Sequence, residues 1–505
     1  MRVEPQDEAQ SSRRVHPFLR DLSVTLLAQV GVALSGLLLY RLLAIHKGTD
    51  GFASYSLVKQ ASGFLFPIVT VGLVGGLPRY LALPRDERSP SSEAYLAAAG
   101  LIIGTVTAMV ALVALGLSSV TSALLFGDAS REDLVAPFAA LMAATSLFYV
   151  AYGYYRGLLR LRAAALLQVG GMAAIPPLVV LAFPDEPVDT LILRIAAITA
   201  VLSLVAVGRP LLHALRVAHR RRVERAGRSL WNYGYRRVPG ELAQLGLFVL
   251  VPVLAAHVGT LTDVAYITAG QQVLSVLALA VLPIGLILLP SLAKMWEEDR
   301  ERTSGYVAML AAFACHVALF LSLQAVLFAD IAVSLWLGPE FDGAAAVVRV
   351  TVAPAALFVV YIMLRSTLDA VAVKSYNSRN NLIAFAVLAA VAALMLGLDV
   401  ARPVMCVAWA FAAGVATQGI LTFLTVHRLF GLRAGGYDLA LAVPLAALTA
   451  ALGFAARPLI DGSPAALVLL LALELVLTAI FFGVLFRRRV PWTRMLAEQL
   501  FRRDR

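Results

Sequence analysis

The sequence predicts an all-α protein that crosses a membrane many times, with about fourteen transmembrane helices. Of its 505 residues, 60% are hydrophobic and only 14% are charged, whereas soluble domains carry about 45–50% apolar and about 25% charged residues. The apolar residues form continuous runs, and each run supplies the roughly 20 residues that one helical crossing requires. Runs of this kind disfavour a β-barrel, whose strands would alternate in polarity.

The apolar runs and the polar segments between them predict the organisation of the chain. The predicted spans are 22–45, 53–80, 94–126, 134–155, 163–183, 190–213, 239–258, 263–292, 306–329, 345–369, 381–398, 404–426, 437–456 and 464–486. They define an N-terminal arm (1–21), an N-terminal lobe (22–213), a basic linker (214–238), a C-terminal lobe (239–430), two further helices (437–486) and a basic tail (487–505).

The placement of basic residues predicts the orientation of the spans, because loops rich in Lys and Arg stay in the cytoplasm. With the N-terminus inside, most of the 42 Lys and Arg residues fall in cytoplasmic loops and tails. The loops on the other side are short and neutral or acidic, as at 127–128 and 184–186. We therefore expect both termini to be cytoplasmic.

The net charge of +11 is concentrated between the spans, which indicates a membrane surface and not a nucleic acid as its partner. The linker at 214–238 is the most basic segment, and we expect its arginines to lie on anionic lipids of the inner leaflet. A topology signal alone is the alternative. The tail at 487–505 mixes Trp492 and leucines with arginines, which is typical of a helix on the membrane surface but also fits a disordered charged end.

The two lobes carry an internal repeat. HKGT at 46–49 recurs as HVGT at 257–260, and YGYYR at 152–156 recurs as YIMLR at 361–365. Each copy has an even number of spans, so both copies have the same orientation. Repeated halves of membrane proteins usually enclose a central substrate site, which favours a transporter over an enzyme or an anchor.

Five segments carry a resemblance to a known family. They are LLLYRLLAIHKGTDGFASYSLVKQ at 37–60, GLVGGLPRYLA at 72–82, DVAYITAGQQ at 263–272, LGPEFDGAAAVVRV at 337–350 and LDAVAVKSYNSRNNL at 368–382. These segments resemble the polysaccharide and O-antigen (Wzx-type) flippases of the multidrug/oligosaccharidyl-lipid/polysaccharide (MOP) exporter superfamily. The resemblance extends over almost the whole chain.

The resemblance implies a fold and a function. The fold would have two six-helix lobes with two extra C-terminal helices beside them. The function would be to flip an undecaprenyl-pyrophosphate-linked oligosaccharide across the bacterial inner membrane for the synthesis of a surface polysaccharide, as a monomer alongside polymerising enzymes. A cation-coupled multidrug exporter and a lipid II flippase are the alternatives. The acidic motif of the former and the first-loop pattern of the latter are not evident.

A flippase needs cations in a polar cavity to offset the phosphates of its substrate, and a charge inside a span costs about 2.5 kcal/mol or more. The candidates for substrate binding are therefore Arg41, Lys59, Arg194 and Arg349. Arginine matches phosphate through paired hydrogen bonds, so cations from both lobes would hold a diphosphate. Alternatively, the three arginines extend to the outer headgroups, which we favour for Arg194, whereas Lys59 lies deeper in its span.

Other residues within the spans are candidates for gating. Arg365 and Asp369 stand one helical turn apart and can pair, and Glu241 can bind a proton or pair with Arg236 or Arg237. Proline removes a backbone hydrogen bond and bends a helix, so hinges or static kinks are predicted in the second and eighth spans, at Gly75, Gly76, Pro78, Pro283 and Pro290. His316 is expected to be a buried histidine with its hydrogen bonds satisfied.

The sequence contains no Walker phosphate loop, no metal-ligand cluster and no nucleophile–base constellation in a loop. It predicts a transporter without a cofactor or a metal. A membrane glycosyltransferase or ligase for the same polymers is a further alternative, but the outer loops are too short for a catalytic domain. Cys315 and Cys406 both lie in apolar runs, which predicts buried thiols.

Overall fold

A computed structural model shows helices along the chain, and no strand occurs in the part that it describes. The structure describes residues 5–82, 90–371, 376–432, 438–456 and 466–488, together with 458, 490, 492 and 493. Within these ranges, side chains are described except at 5–23, 26, 279–294, 297, 369–371 and 466–467. The chain divides into two compact units, Met1–Leu245 and Gly246–Arg505.

The first unit holds the helices up to the start of α10. They are α1 (Pro5–Val69), α2 (Leu73–Ala82), α3 (Ser92–Gly116), α4 (Ser118–Phe126), α5 (Val135–Gly157), α6 (Leu161–Gln168), α7 (Ile175–Ala182), α8 (Val188–Val217), α9 (Arg220–Gly234) and α10 (Val238–Val258). Its buried core joins α2, α3, α5, α6, α8 and α9. Alanines such as Ala97, Ala98 and Ala99 of α3 lie in this core, and small side chains let membrane helices approach closely.

The second unit holds the end of α10 and the remaining helices. They are α11 (Leu261–Glu298), α12 (Arg300–Leu327), α13 (Ala329–Leu337), α14 (Ala345–Val352), α15 (Ala355–Val371), α16 (Tyr376–Gly397), α17 (Pro403–Leu429), α18 (Leu439–Ala456) and α19 (Ala466–Arg487). Helix α15 packs against α11, α12 and α17, and α16 packs along α17. The last two helices pack against each other, and α18 also contacts α12.

The protein is a multi-pass membrane protein. Among the described residues, 11 helices are long and apolar enough to cross a membrane, or up to 12 if the pair Pro339–Val352 and Ala355–Leu368, bent by 50°, is one span. The sequence predicts about fourteen spans. The predicted span 22–45 and the first part of 53–80 fall in α1, and 53–80 continues across residues 70–72 into α2. The predicted span 263–292 falls on α11, where the side chains of 279–294 lie outside the description. The higher count stays a prediction.

Helix α1 contains two halves. Its apolar part, Leu27–Val69, has 43 residues, which is about 65 Å of helix and roughly twice the thickness of a hydrocarbon core. The helix is kinked at Gly48, where φ is 61° and ψ is −163°, a conformation that glycine adopts without steric cost. In the second copy of the repeat, the helix is interrupted at the equivalent position. Thr260 caps the start of α11 there, in a reciprocal pair of hydrogen bonds with Asp263.

A second break separates α1 from α2 at residues 70–72. Val71 has φ of 50° and Gly72 has φ of 61°, and a positive φ is strained for a β-branched residue such as valine. Backbone bonds close the turn, from Gly72 N to Pro67 O at 3.0 Å and from Leu73 N to Thr70 O at 2.9 Å. The predicted hinge residues Gly75, Gly76 and Pro78 lie just beyond the turn, inside α2.

The basic linker at 214–238 is helical and not a loop. Helix α9 occupies most of it and packs on α2 and α3 through Ala226, Leu230 and Gly234. A Cβ atom on Gly234 would overlap the carbonyl oxygen of Val71, and a Cβ on Gly72 would lie 2.9 Å from the Gly234 oxygen. Helix α9 therefore touches the backbone of the break at 70–72, and only glycine permits this approach.

A single methyl group at Gly234 tests this contact. We expect Gly234→Ala to lower the free energy of unfolding by about 1–3 kcal/mol, because overpacking forces the backbones apart. Gly227→Ala is the matched control on the same helix, since its Cβ would have neighbours only at 3.9–4.0 Å and alanine favours a helix over glycine by up to about 1 kcal/mol. Thermal unfolding in detergent measures both variants, and equal melting temperatures would contradict the contact.

Candidate functional site

A cavity of about 390 Å³ lies within the first unit. Both halves of α1 line it, together with α5, the segment between α6 and α7, the starts of α7 and α8, and Leu245 of α10. Its polar lining groups are Ser35, Tyr55, Lys59, Gln60, Ser62, Thr145, Tyr149 and Thr199. A cavity of this size is at the low end of the range for organic ligands, so it suits one end of a large substrate.

One wall of the cavity is aromatic. Phe66 of α1 packs on Tyr149 of α5 with ring centroids 4.5 Å apart, and Phe148 meets Tyr149 edge to face at 5.3 Å. These rings present flat apolar faces with a hydroxyl at the Tyr149 tip. Phe66 lies four residues before the break at 70–72, so the helix that ends at this break also forms part of the cavity wall.

Another part of the cavity wall is a π-helical segment at Val169–Ala174, with Gly171 and Met172 on the cavity. Pro177 has no N–H group, so the Ala173 carbonyl loses its ordinary partner one turn on. The hydroxyl of Ser35 on α1 donates to that carbonyl. This bond joins α1 to the π-helical segment, a type of irregularity that is frequent at functional sites.

Lys59 is the charged residue of the cavity. Among the described residues that line it, no other carries a charge. The Lys59 ammonium lies 5.0 Å from the ring centre of Tyr40, within the range of a cation–π contact. No described carboxylate forms an ion pair with it. Its side chain is exposed to the cavity, so its charge is available to a ligand.

Tyr40 positions this lysine across the kink at Gly48. Its ring is fully buried and packs on Phe52 at 4.8 Å and on Tyr55 at 6.1 Å. Arg41 follows it in sequence and is partly buried, but it does not line the cavity. The Nη1 atom of Arg41 is buried and has no hydrogen-bond partner among the described residues. Tyr40 therefore contacts Lys59, and Arg41 is its neighbour in sequence.

The other two predicted cations are ion-paired. Arg194 of α8 pairs with Glu186 on the preceding loop and stacks over Phe183 at 4.0 Å. Arg349 of α14 pairs with Asp330 of α13 at 3.1 Å, in the second unit. Neither lines the cavity described above. Sequence reasoning missed both carboxylates because each lies in a different element from its arginine, outside the one-turn spacing at which residues of a single helix pair.

The predicted gating residues lie apart from the cavity. Arg237 stacks on Tyr233 at 4.7 Å and Arg236 bonds the Tyr235 hydroxyl at 3.1 Å. No hydrogen-bonded ion pair joins either of them to Glu241 among the described residues, but Arg237 lies near enough to act on Glu241 electrostatically, and the predicted pairing stays a prediction. Arg365 lies 5.8 Å from the ring centre of Tyr361. The side chains of Asp369, Pro283 and Pro290 lie outside the described residues, so their predicted roles stay predictions.

Buried amides of the second unit were not singled out by the sequence. Gln418 of α17 donates to Asn381 of α16 at 2.9 Å, and Asn380 donates to Thr425 at 3.3 Å. Such bonds join membrane helices, each by about 0.6–2 kcal/mol. The signal in the sequence is the pair Asn380-Asn381 next to an apolar run.

Trp492, which follows the last helix, contacts a buried histidine of α12. Trp492 is buried and donates from Nε1 to Nδ1 of the fully buried His316 at 2.9 Å. This confirms that His316 is a satisfied buried histidine, and it places Trp492 against α12. The Trp492 ring also contacts Phe313 at 4.9 Å and Phe486 at 5.6 Å. The predicted surface helix at 487–505 falls mostly outside the described residues and stays a prediction. Within the described residues, no cluster of His, Cys, Asp or Glu could hold a metal.

Comparison with solved structures identifies the fold. No protein-family model matches the chain, and no curated sequence matches it significantly. The lipid II flippase MurJ in an inward closed conformation superposes with a TM-score of 0.66 at 9% identity, over 91% of this chain and 98% of MurJ. An inward-facing multidrug resistance MATE family transporter of the MOP superfamily superposes with 0.59 at 13% identity, over 79% and 94%.

The chain has the fold of MOP superfamily transporters. The two solved structures named above are transporters. At these identities the likeness establishes the fold alone. The Wzx-type family that the sequence resembles is not among these structures, so the substrate has to be inferred from the cavity.

Two cavity serines test the role of the π-helical segment. We expect Ser35→Ala to lower the free energy of unfolding by about 1–3 kcal/mol, because the Ala173 carbonyl loses its donor. Ser62→Ala is the matched control, since Ser62 lines the same cavity but donates only to Val58 of its own helix, at 2.8 Å. Thermal unfolding of both variants measures the difference. An equal loss of unfolding free energy in both variants would show that the bond from Ser35 to the Ala173 carbonyl adds no stability of its own.

Proposed function

We propose that this protein flips a polyprenyl-diphosphate-linked saccharide across the membrane, and specifically an undecaprenyl-pyrophosphate-linked oligosaccharide for a cell-surface polysaccharide. The observation that carries the proposal is Lys59, a cation without a described carboxylate partner in a cavity with aromatic walls. A charge inside a membrane protein is costly and is usually retained for function. A positive charge in this position selects an anionic headgroup.

In this proposal, different groups of the cavity bind different parts of the headgroup. The Lys59 ammonium would bind the phosphate oxygens. Arg41, whose Nη1 is buried and has no hydrogen-bond partner among the described residues, does not line the cavity, and its contact with the substrate stays a prediction. Gln60, Tyr149 and the serines would bond the first sugar. The remaining sugars would extend beyond the cavity, which is too small for a whole oligosaccharide, and the polyprenyl chain would stay in the bilayer.

Movement of the headgroup follows from the same arrangement. Ion pairing to the phosphates lowers the cost of bringing their charge to the depth of Lys59. Alternating access would then expose the cavity to each side in turn. In this proposal the protein lies in the bacterial inner membrane with both termini in the cytoplasm. It would be a monomer that passes its product to polymerising enzymes.

The charge of the cavity separates two substrate classes. Its lining has one cation and, among the described residues, no carboxylate. An organic cation would meet repulsion from Lys59 and no counter-charge, so the cavity disfavours multidrug export of the kind that the MATE name describes. Lipid II, which the matched flippase acts on by name, is itself a lipid diphosphate. Lipid II and other lipid-linked saccharides thus share the chemistry that Lys59 recognises.

Substitution of Lys59 tests the proposal. We expect Lys59→Met in proteoliposomes to reduce flipping of a fluorescent undecaprenyl-pyrophosphate saccharide by about 10- to 100-fold, because a charge-assisted bond is worth about 1.5–3 kcal/mol. Lys59→Arg keeps the charge and should retain most of the activity.

The matched control is Arg194→Gln, which removes a cation that is already paired with Glu186 and should change flipping by less than about twofold. Normal folding of each variant is checked by thermal unfolding. Flipping that is unchanged in Lys59→Met would remove Lys59 from the mechanism. Absence of flipping by the wild type, together with uptake of a lipophilic cation, would replace the proposal with drug export.

A further inference from the structure

Helix α9 has two opposite faces. Ala226, Leu230 and Gly234 are buried against the first unit, and Arg221, Arg225 and Arg228 are exposed on the other side, since 100° per residue places them opposite the buried face. Arg220 and Arg222 are exposed as well. Glu224 is the one acidic residue of α9, and it pairs with Arg220 at 3.1 Å. The exposed face therefore carries a strong net positive charge.

The neighbouring spans hold α9 at the membrane surface. The candidate span Val188–Val217 ends three residues before α9 begins, and the candidate span Val238–Val258 begins four residues after α9 ends. At about 3.5 Å per residue, these short connections keep both ends of α9 within roughly 10–14 Å of a span. Trp231 is 47% exposed and Tyr235 is 44% exposed, and such aromatic residues favour the headgroup level of a bilayer.

The buried face of α9 touches the break between α1 and α2. Gly234 lies against the Val71 backbone, and the Tyr80 hydroxyl of α2 donates to the Ser229 carbonyl at 3.4 Å. The Tyr233 ring lies 5.9 Å from Tyr80, in an edge-to-face contact. Helix α9 thus contacts a strained turn and the helix that follows it, and the helix before that turn carries Phe66 and Lys59 to the cavity.

We propose that the arginine face of α9 is a binding site for anionic phospholipid headgroups, and that this binding stabilises α9 on the break at 70–72. Arginine matches phosphate geometry with paired donors and is always charged. The position at the membrane surface selects a lipid as the occupant over a soluble polyanion, because the lipid is present there at high local concentration. The binding site stands independently of the proposed function, and only its effect on transport rests on that function.

Hydrogen exchange of the full chain in nanodiscs tests the site. In discs of three parts phosphatidylcholine to one part phosphatidylglycerol, we expect slower amide exchange across α9 than in phosphatidylcholine alone. Each arginine near an anionic surface strengthens binding by about fivefold. The triple variant Arg221→Gln, Arg225→Gln and Arg228→Gln should therefore bind the anionic lipid on the order of a hundredfold more weakly and lose the slowing.

Two further triple variants test whether the slowing depends on positive charge and whether that charge has to lie on α9. Arg221→Lys, Arg225→Lys and Arg228→Lys together keep the charge and should keep the slowing. Arg300→Gln, Arg302→Gln and Arg488→Gln together remove three exposed arginines elsewhere in the chain and should also keep it. Equal exchange in both lipids for the wild type would overturn the site, as would slowing that persists in the α9 glutamine variant. Protection by soluble heparin but not by phosphatidylglycerol would identify a soluble polyanion and would overturn it too.

The coupling to the break has its own measurement. In Gly234→Ala, we expect phosphatidylglycerol to bind α9 as before, while amides of residues 66–74 no longer respond to the lipid. Gly227→Ala should respond like the wild type. A response at 66–74 that survives in Gly234→Ala would remove the coupling and leave the lipid site. Because these experiments contain no transport step, a protein that fails to flip lipids would still give a clear result.

Discussion

Backbone groups inside a bilayer have no water to bond, so each break in a membrane helix has to be satisfied by another part of the protein. This constraint accounts for the main features of the first unit. The Ala173 carbonyl, whose ordinary partner would be the proline at 177, is bonded by Ser35, and this bond places one wall of the cavity. The strained turn at Val71 and Gly72 is covered by Gly234 of α9. The kink at Gly48 allows Tyr40 to reach Phe52 and Lys59.

Ion pairing divides the predicted cations into two groups. Arg194 and Arg349 each have a carboxylate partner contributed by a neighbouring loop or helix, and such partly exposed pairs contribute little to stability. Lys59 has an aromatic partner in place of a carboxylate, which orients the ammonium without neutralising it. This difference makes Lys59 the residue best suited to an anionic ligand. It also explains why a cavity inside an apolar helical unit carries a positive potential.

The fold is shared by transporters whose names specify different cargoes, so the fold does not choose the cargo. The choice is made by a few side chains on a common scaffold. In this chain the described lining of the cavity combines one cation, aromatic faces and neutral hydrogen-bonding groups. That combination suits a phosphate attached to a sugar. Lipid binding to α9 would act on the same cavity from a distance, because α9, the break and the Phe66 wall form one continuous series of contacts within the first unit.

The sequence by itself determined the helical class and the positions of the apolar runs, because hydrophobicity in a bilayer depends on composition and hardly on neighbours. It also determined the repeat and the candidate status of Lys59, since a charge in an apolar run is visible without a structure. Only the tertiary structure decided which cations are paired, because Asp330 and Glu186 approach their arginines through folding. It likewise decided that Arg220–Gly234 is a helix on α2 and α3, and that Trp492 bonds His316. The contacts of α9 and Trp492 join residues far apart in sequence, and the two ion pairs join residues of different elements, so no local pattern of polarity encodes them.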